Sequence, residues 1–466
     1  MTKSYVSAAV AVVVALWATP ASAQQAPTYS KDVAPILFAN CTSCHRPGEI
    51  APMSLMSYKD VRPWARAIGA KVADGTMPPW HADPAHGKFS NARTLSEMHK
   101  ATIAKWVAAG APEGNVADMP AAPVYKEGWN IEPDVVLSMQ EDYPIPATGE
   151  VPYQYLVVPA NFAEDRYITD WEIRPGDPRA VHHLLLYLLA PKDVVEAQMK
   201  RQQQAMLNRM FGPAPAANAP RPTPPFEMAC CTQIPAGEEG GRPLPPDQRK
   251  DPGPNYRPRP QGMAQGMGGF SPGGSIRHFP EGMGMRIPAG YSLVFQMHYT
   301  TYGQATTDRS KIGLKFAKTT PKTILNTMAL INASLSIPPG AANHLVENTM
   351  TFNRDTVIYS FVPHTHVRGS GWHYEATYPD GRKEVILSVP KYDFNWQHEY
   401  VFSPPLQLPA GTKINAKAWY DNSARNKSNP DPTKTVTWGD QTWEEMMYTS
   451  ITYSFAAAPP TSAGQK

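Results

Sequence analysis

The apolar residues of this chain change period once, and that change sets what the chain can fold into. Upstream of about residue 116 they recur at helical spacing. Val61, Trp64, Ala65, Ile68 and Val72 stand at i, i+3, i+4, i+7 and i+11, and Gly75 ends the run. Thr94 and Glu97 form a capping-box pattern ahead of Met98, Ile103, Trp106 and Val107, and Gly110 and Pro112 stop that helix. ADMPAAPV, Ala117 to Val124, reads as a linker. From about residue 130 the period is two. Strands are expected over 153–158, 167–173, 181–189, 291–299, 356–362, 372–378, 384–389, 413–420 and 448–455, with Asp380-Gly381 as a hairpin turn. The expected fold is multidomain: a small all-α domain, then two tandem all-β antiparallel sandwiches.

Composition supports the turn-rich part of this reading. Proline accounts for 50 of 466 residues, about twice the usual ~5%, and proline disfavours helices and central strands. Lys+Arg is 43 against Asp+Glu 40, with no basic stripe interleaved with aromatics. A nucleic-acid partner is therefore not expected. The N-terminus, MTKSYVSAAVAVVVALWATPASA, has a lysine, an apolar core from Val6 to Trp17, and the small-residue site Ala21-Ser22-Ala23. It reads as a cleaved Sec-type signal peptide, residues 1–23, with no lipid anchor. The apolar run is shorter than the ~20 residues that span a bilayer. The mature protein is expected to be periplasmic or secreted, without a membrane span. Residues 200–285 are rich in Pro, Gly and Met and read as a long surface excursion. Met206, Met210, Met228, Met263, Met267, Met283 and Met285 fit flexible-loop composition better than a Cu(I) site. Cys230-Cys231 fits a vicinal disulfide, a metal site or a bridge to a partner.

Cys41-Thr-Ser-Cys44-His45 is a C-x-x-C-H motif. Two thiols at this spacing can form thioethers with the two haem vinyl groups, and the adjacent histidine can ligate the iron. A thioredoxin-like redox pair is the rival reading, but here a signal peptide precedes the motif and helices flank it. One covalently bound haem c is expected. Its sixth ligand is assigned to Met77 of TMPPW, because the prolines that follow would hold the thioether in place. Met53, Met56, His81, His86 and His99 are the rivals. Residues 28–115 resemble small class I cytochrome c domains through YSKDVAPIL, CTSCH and MPPW.

The strand region carries histidines in short apolar runs. In FVPHTHVRG, His364 and His366 stand two apart, so in a strand both face one side. VHHLLLY holds His182 and His183, QMHY holds His298, and WEEMM holds Met446. Each alone is also compatible with an ordinary core residue. Adjacent His182 and His183 would point to opposite faces of a regular strand, so a shared metal needs a twist or bulge there.

Taken in order, these four segments resemble the copper type II, ascorbate-dependent monooxygenases, the group that contains peptidylglycine α-hydroxylating monooxygenase and dopamine β-monooxygenase. The resemblance covers about residues 130–457, apart from the excursion. It implies two copper ions: an electron-transfer copper on His182, His183 and His298, and an oxygen-binding copper on His364, His366 and Met446. It also implies tandem β-sandwiches with the substrate cleft between the coppers. Imidazole suits both copper oxidation states and thioether favours Cu(I). Expected boundaries are 24–116 for the haem domain, 117–130 for the linker, 131–303 and 304–458 for the sandwiches, and 459–466 for a tail.

Two departures matter. The animal enzymes are braced by several disulfides, and this chain has only four cysteines. The amidating members bind a substrate carboxylate with an arginine and a tyrosine whose positions are Val362 and Ser450 here. Amidation of glycine-extended peptides is therefore not expected. The expected partners are a small-molecule substrate, O2 and an external electron donor to the haem, with hydroxylation of a C–H bond fed through that haem. The alternative is a haem and copper electron-transfer or copper-binding protein without oxygenase activity.

Overall fold

A computed structural model describes residues 26–49, 51–126, 128–211, 255–271, 274 and 276–456. The expected signal peptide, residues 1–23, and Met228, Cys230 and Cys231 lie outside them.

The N-terminal part is a small helical unit. Tyr58–Val61, Arg62–Trp64 and Ala65–Ala73 run on as consecutive helical turns, and Glu97–Ala108 packs against the last of them. Its core buries Leu37, Val61, Ile68, Val72, Ile103 and Trp106. Two residues expected on the apolar faces lie outside the core: Trp64 is 45% exposed and Met98 71% exposed. The cap is also displaced from the expected Thr94. Ser96 is the N-cap, and its hydroxyl accepts the His99 N–H at 3.2 Å, which satisfies an otherwise unpaired first-turn donor.

The rest is mostly β-sheet. Each of the nine expected strands is present within three residues at either end, and Gly381 turns the Asp380-Gly381 hairpin at φ 85°. Alternation revealed these strands because one face of each is buried. A large sheet runs in the order 135–138, 311–316, 166–174, 283–287, 323–331, 448–455, 356–364, 400–408. Two four-stranded sheets cover it. One holds Gln154–Val158, Ser292–Tyr299, Val181–Leu189 and Met263–Phe270; the other holds His344–Thr351, Lys413–Tyr420, Gly369–Thr377 and Lys383–Val389. Between the layers lie two separate cores. The first includes Trp171, Leu184, Phe295 and Leu314, the second Phe361, Trp372, Tyr374 and Ile451.

Three expectations need correcting. The two halves are not independent antiparallel sandwiches, because Met283–Ile287 and Thr323–Ile331 pair in parallel and join them through one continuous sheet. The boundary lies later than 303/304, since Ile312, Leu314 and Leu325 bury themselves in the first core. The end of the 200–285 excursion is core structure. Met267 and Met285 are fully buried on strands of the first sandwich, so these methionines serve packing. Glycines at 266, 268 and 269 hid the strand Met263–Phe270, and Gly269 is needed there because a Cβ would collide with the Leu184 carbonyl.

Main-chain hydrogen bonds tie the helical unit to the second sandwich. The Ser90 N–H donates to Val401 O at 2.9 Å, the Ser403 N–H to Lys88 O at 2.8 Å, and the Asp83 N–H to Ser388 O at 2.9 Å. Trp80 and Phe89 pack on Tyr400, with ring centroids 5.0 and 5.5 Å away. Segment 80–91 therefore adds to the sandwich, not to the helical core.

Candidate metal centre

The His182-His183 pair sits where the sheet is irregular. Val181 pairs with Tyr299 and His183 with His298, so His182 is an extra residue in its strand. This bulge turns both rings toward His298. One ligand nitrogen from each of His182, His183 and His298 lies within 4.8 Å of the others. The Nδ1 atoms of His182 and His298 are 3.2 Å apart. A metal ~2 Å from each nitrogen needs them roughly 3.3–3.5 Å apart, so small ring movements complete the set. The Thr442 hydroxyl lies 3.5 Å from His298 Nε2 and leaves Nδ1 as the inward-facing atom.

His364 ends its strand opposite Tyr448, and His366 lies beyond the strand end, not within it as alternation suggested. Their rings still meet at 5.1 Å, nearly perpendicular. The turn between them is built tightly. Thr365 is fully buried, its N–H donates to the Tyr392 hydroxyl at 3.2 Å and its carbonyl accepts from that hydroxyl at 3.1 Å. A Cβ on Gly369 would overlap Thr365, so only glycine fits at the end of FVPHTHVRG.

Glu445 orders both sides of this site. Its carboxylate is fully buried and accepts the backbone N–H groups of His366 at 2.8 Å, Arg368 at 2.8 Å and Met446 at 3.1 Å. The Tyr420 hydroxyl donates to the Met446 carbonyl at 2.8 Å. His366 Nδ1 donates to Glu444 O at 3.1 Å, while its buried Nε2 has no partner. A histidine held through Nδ1 with its Nε2 lone pair unengaged has the arrangement that metal-binding histidines use. Arg368 itself points away, donating to Asn422 Oδ1 at 3.1 Å and Trp443 O at 3.1 Å. It supports the loop and does not face the cleft.

Gln397 links the two sets. His364 Nδ1 donates to Gln397 Oε1 at 2.5 Å, and Gln397 Nε2 lies 3.4 Å from His183 Nδ1. This leaves the His364 Nε2 lone pair for a metal. Phe394 packs against His182, His298 and His366 at 5.4–6.1 Å, and Tyr153 lies 4.8 Å from His298 and 6.0 Å from His366. His183, His298, His364 and Met446, together with Gln397 and Tyr448, line one cleft. Burial pushes the titration of all five histidines below its ordinary value. They are thus neutral, with lone pairs available, at physiological pH. The donor chemistry of both sets, imidazole plus one thioether, fits copper. The sequence did not single out Gln397, Phe394 or Tyr153. The only signal was the aromatic run KYDFNWQHEY, which lacks a motif.

The helical unit holds the other candidate site. The Cys44 and His45 N–H groups donate to Cys41 O at 3.1 and 2.9 Å, so one turn carries both thiols and the imidazole. The thiols are free. The His45 Nδ1 lies 3.2 Å from Met53 O, which leaves Nε2 as the ligand atom. These residues fit a covalently attached haem. Met77 lies on the partly buried loop before Trp80, its N–H donating to Lys71 O at 3.0 Å.

No protein-family model matches the chain, and no curated protein matches it. Among solved structures it is aligned with that of infectious bursal disease virus Gx strain, at 7% identity over 72% of this chain and 75% of that one, TM-score 0.18. The crystal structure of the infectious bursal disease virus VP2 subviral particle aligns at 9% identity over the same shares, TM-score 0.17. At such scores the likeness carries no information on fold or function.

Proposed function

We propose that this protein is a copper-dependent monooxygenase that hydroxylates a C–H bond of a small organic substrate, with electrons delivered through a fused c-type haem. The observation that carries this reading is the convergence of His183, His298, His364 and Met446 on one cleft, with His182 beside the first two and His366 beside His364. The three-histidine set would hold one copper and the His364, His366, Met446 set the other. Copper there would supply a one-electron couple and the capacity to activate O2. The protein's own part is positional. Glu445 and Gly369 hold His366 and Met446 in register, Gln397 fixes the His364 tautomer, and buried Tyr153 and half-buried Phe394 pack between the two sets. Neither set has four protein ligands, so each leaves a position open. In the helical unit, read as a cytochrome c-like domain, Cys41 and Cys44 would attach the haem, and His45 and Met77 would ligate it.

The test is anaerobic reduction followed by O2, with oxygen uptake read against a panel of candidate substrates. Substrate-dependent uptake that is lost in Met446→Ala, with the haem still reducible, is the expected result. Uptake independent of every substrate, or product formation surviving Met446→Ala, would contradict it.

A further inference from the structure

One loop touches both candidate centres. It joins the strands Lys383–Val389 and Tyr400–Leu408. Phe394 and Gln397 contact the histidine cluster as described above, and the His182 ring hydrogen-bonds the Asn395 backbone. The next residue, His398, turns the other way. Its ring lies 5.8 Å from Trp80 and 6.3 Å from His81, stacks with Trp396 at 6.3 Å, and bonds to the Pro79 carbonyl. His398 is 6% exposed and its Nε2 has no partner. Trp80 and Pro79 belong to the same short segment as Met77. Arg93 lies close enough to Cys44 and to His398 for its charge to bear on both. Gln397 and His398 are thus neighbours in sequence, one against the candidate metal ligands and one against the Pro79-Trp80-His81 segment that follows Met77.

We infer that Gln397-His398, with Trp80 packed on it, is the electron path between the haem unit and the three-histidine site. This rests on the function proposed above. The path runs along Met77-Pro78-Pro79-Trp80, across one ring contact to His398, along the backbone to Gln397, and across a 3.4 Å side-chain contact to His183. The step is one electron. A haem held by Cys41, Cys44 and His45 would give up that electron in its ferrous form, a cupric ion held by His182, His183 and His298 would take it, and no bond or proton would be exchanged. The residues act as positioning groups that hold the two units in contact.

The experiment uses full-length protein carrying haem and Cu(II), mixed anaerobically with less than one equivalent of dithionite. Haem absorbance and the Cu(II) paramagnetic signal are followed together. In the wild type, reduced haem should decay in a first-order phase independent of protein concentration, matched by loss of the copper signal. His398→Leu and Trp80→Leu should each slow that phase about tenfold, with haem potential and copper content unchanged. A small diffusible mediator should restore copper reduction in both variants, which damage to the copper site would prevent. Wild-type rates in both variants would overturn the path and leave the oxygenase reading standing. A wild type that binds copper but lacks the phase would overturn the path and the haem-fed mechanism together, and one that takes up no copper would overturn the whole reading.

Discussion

Gly369 is the residue on which the most local geometry turns. It closes FVPHTHVRG against Thr365, and Thr365 separates the two histidines. Gly369→Ala must push Thr365 aside, so copper affinity at the His364, His366 and Met446 set should fall about 10–100-fold, the usual cost of disturbing residues that orient ligands. The three-histidine set should be untouched. A copper titration that resolves two classes of site checks this, and equal weakening of both would contradict it. His398 gives a pH prediction. Burial lowers its titration from 6.5 to about 3, with Arg93 and His81 adding to the effect. Between those values the unfolded chain binds the proton more readily. The stability that His398 contributes is therefore full above about pH 6.5 and lost as pH falls toward 3. From pH 7 to pH 5, His398→Phe should lose less stability than the wild type, by up to about 2 kcal/mol. Urea unfolding at both pH values reads the difference, and parallel losses would refute it.

At the scale of elements, alternation made the half-buried strands legible and failed where side chains did not alternate. Met263–Phe270 has three glycines in eight residues, and Met283–Ile287 sat inside a stretch whose overall composition looked like a loop. Long-range pairing decided both. Met283–Ile287 holds Arg166–Arg174 on one side and Thr323–Ile331 on the other, so it joins the sandwiches. Met285→Ala should cost about 2–5 kcal/mol, the range for deleting most of a buried side chain. Chemical unfolding would show a loss well under 1 kcal/mol if that segment were the loop its composition suggested. The His182-His183 bulge was legible as a requirement, since two adjacent imidazoles cannot share a metal from a flat strand. The displaced cap at Ser96 was not, because Thr94 and Ser96 both offer hydroxyls and only the backbone path chooses between them.

For the whole molecule, sequence spacing named the ligand candidates but not what lies between them. Histidines from three sections of the chain meet because the two covering sheets lie on one shared sheet. The contacts that matter at the join, Gln397 to His183 and His364 and His398 to Trp80, come from a loop with no periodicity to read. Their partners are far away in sequence, so no local pattern marks them. The attachment of the helical unit was equally hidden, since Ser90 to Val401 is a pairing of backbone groups, which every residue carries. Among the described residues no helix is long and apolar enough to cross a membrane.

The most direct test of the central claim is the metal and haem content of the full-length protein, purified after export, beside His364→Ala and His183→Ala. Two coppers and one haem per chain, falling to one copper in each variant with haem unchanged, is the predicted result. One haem with no copper, or zinc in its place, would contradict it.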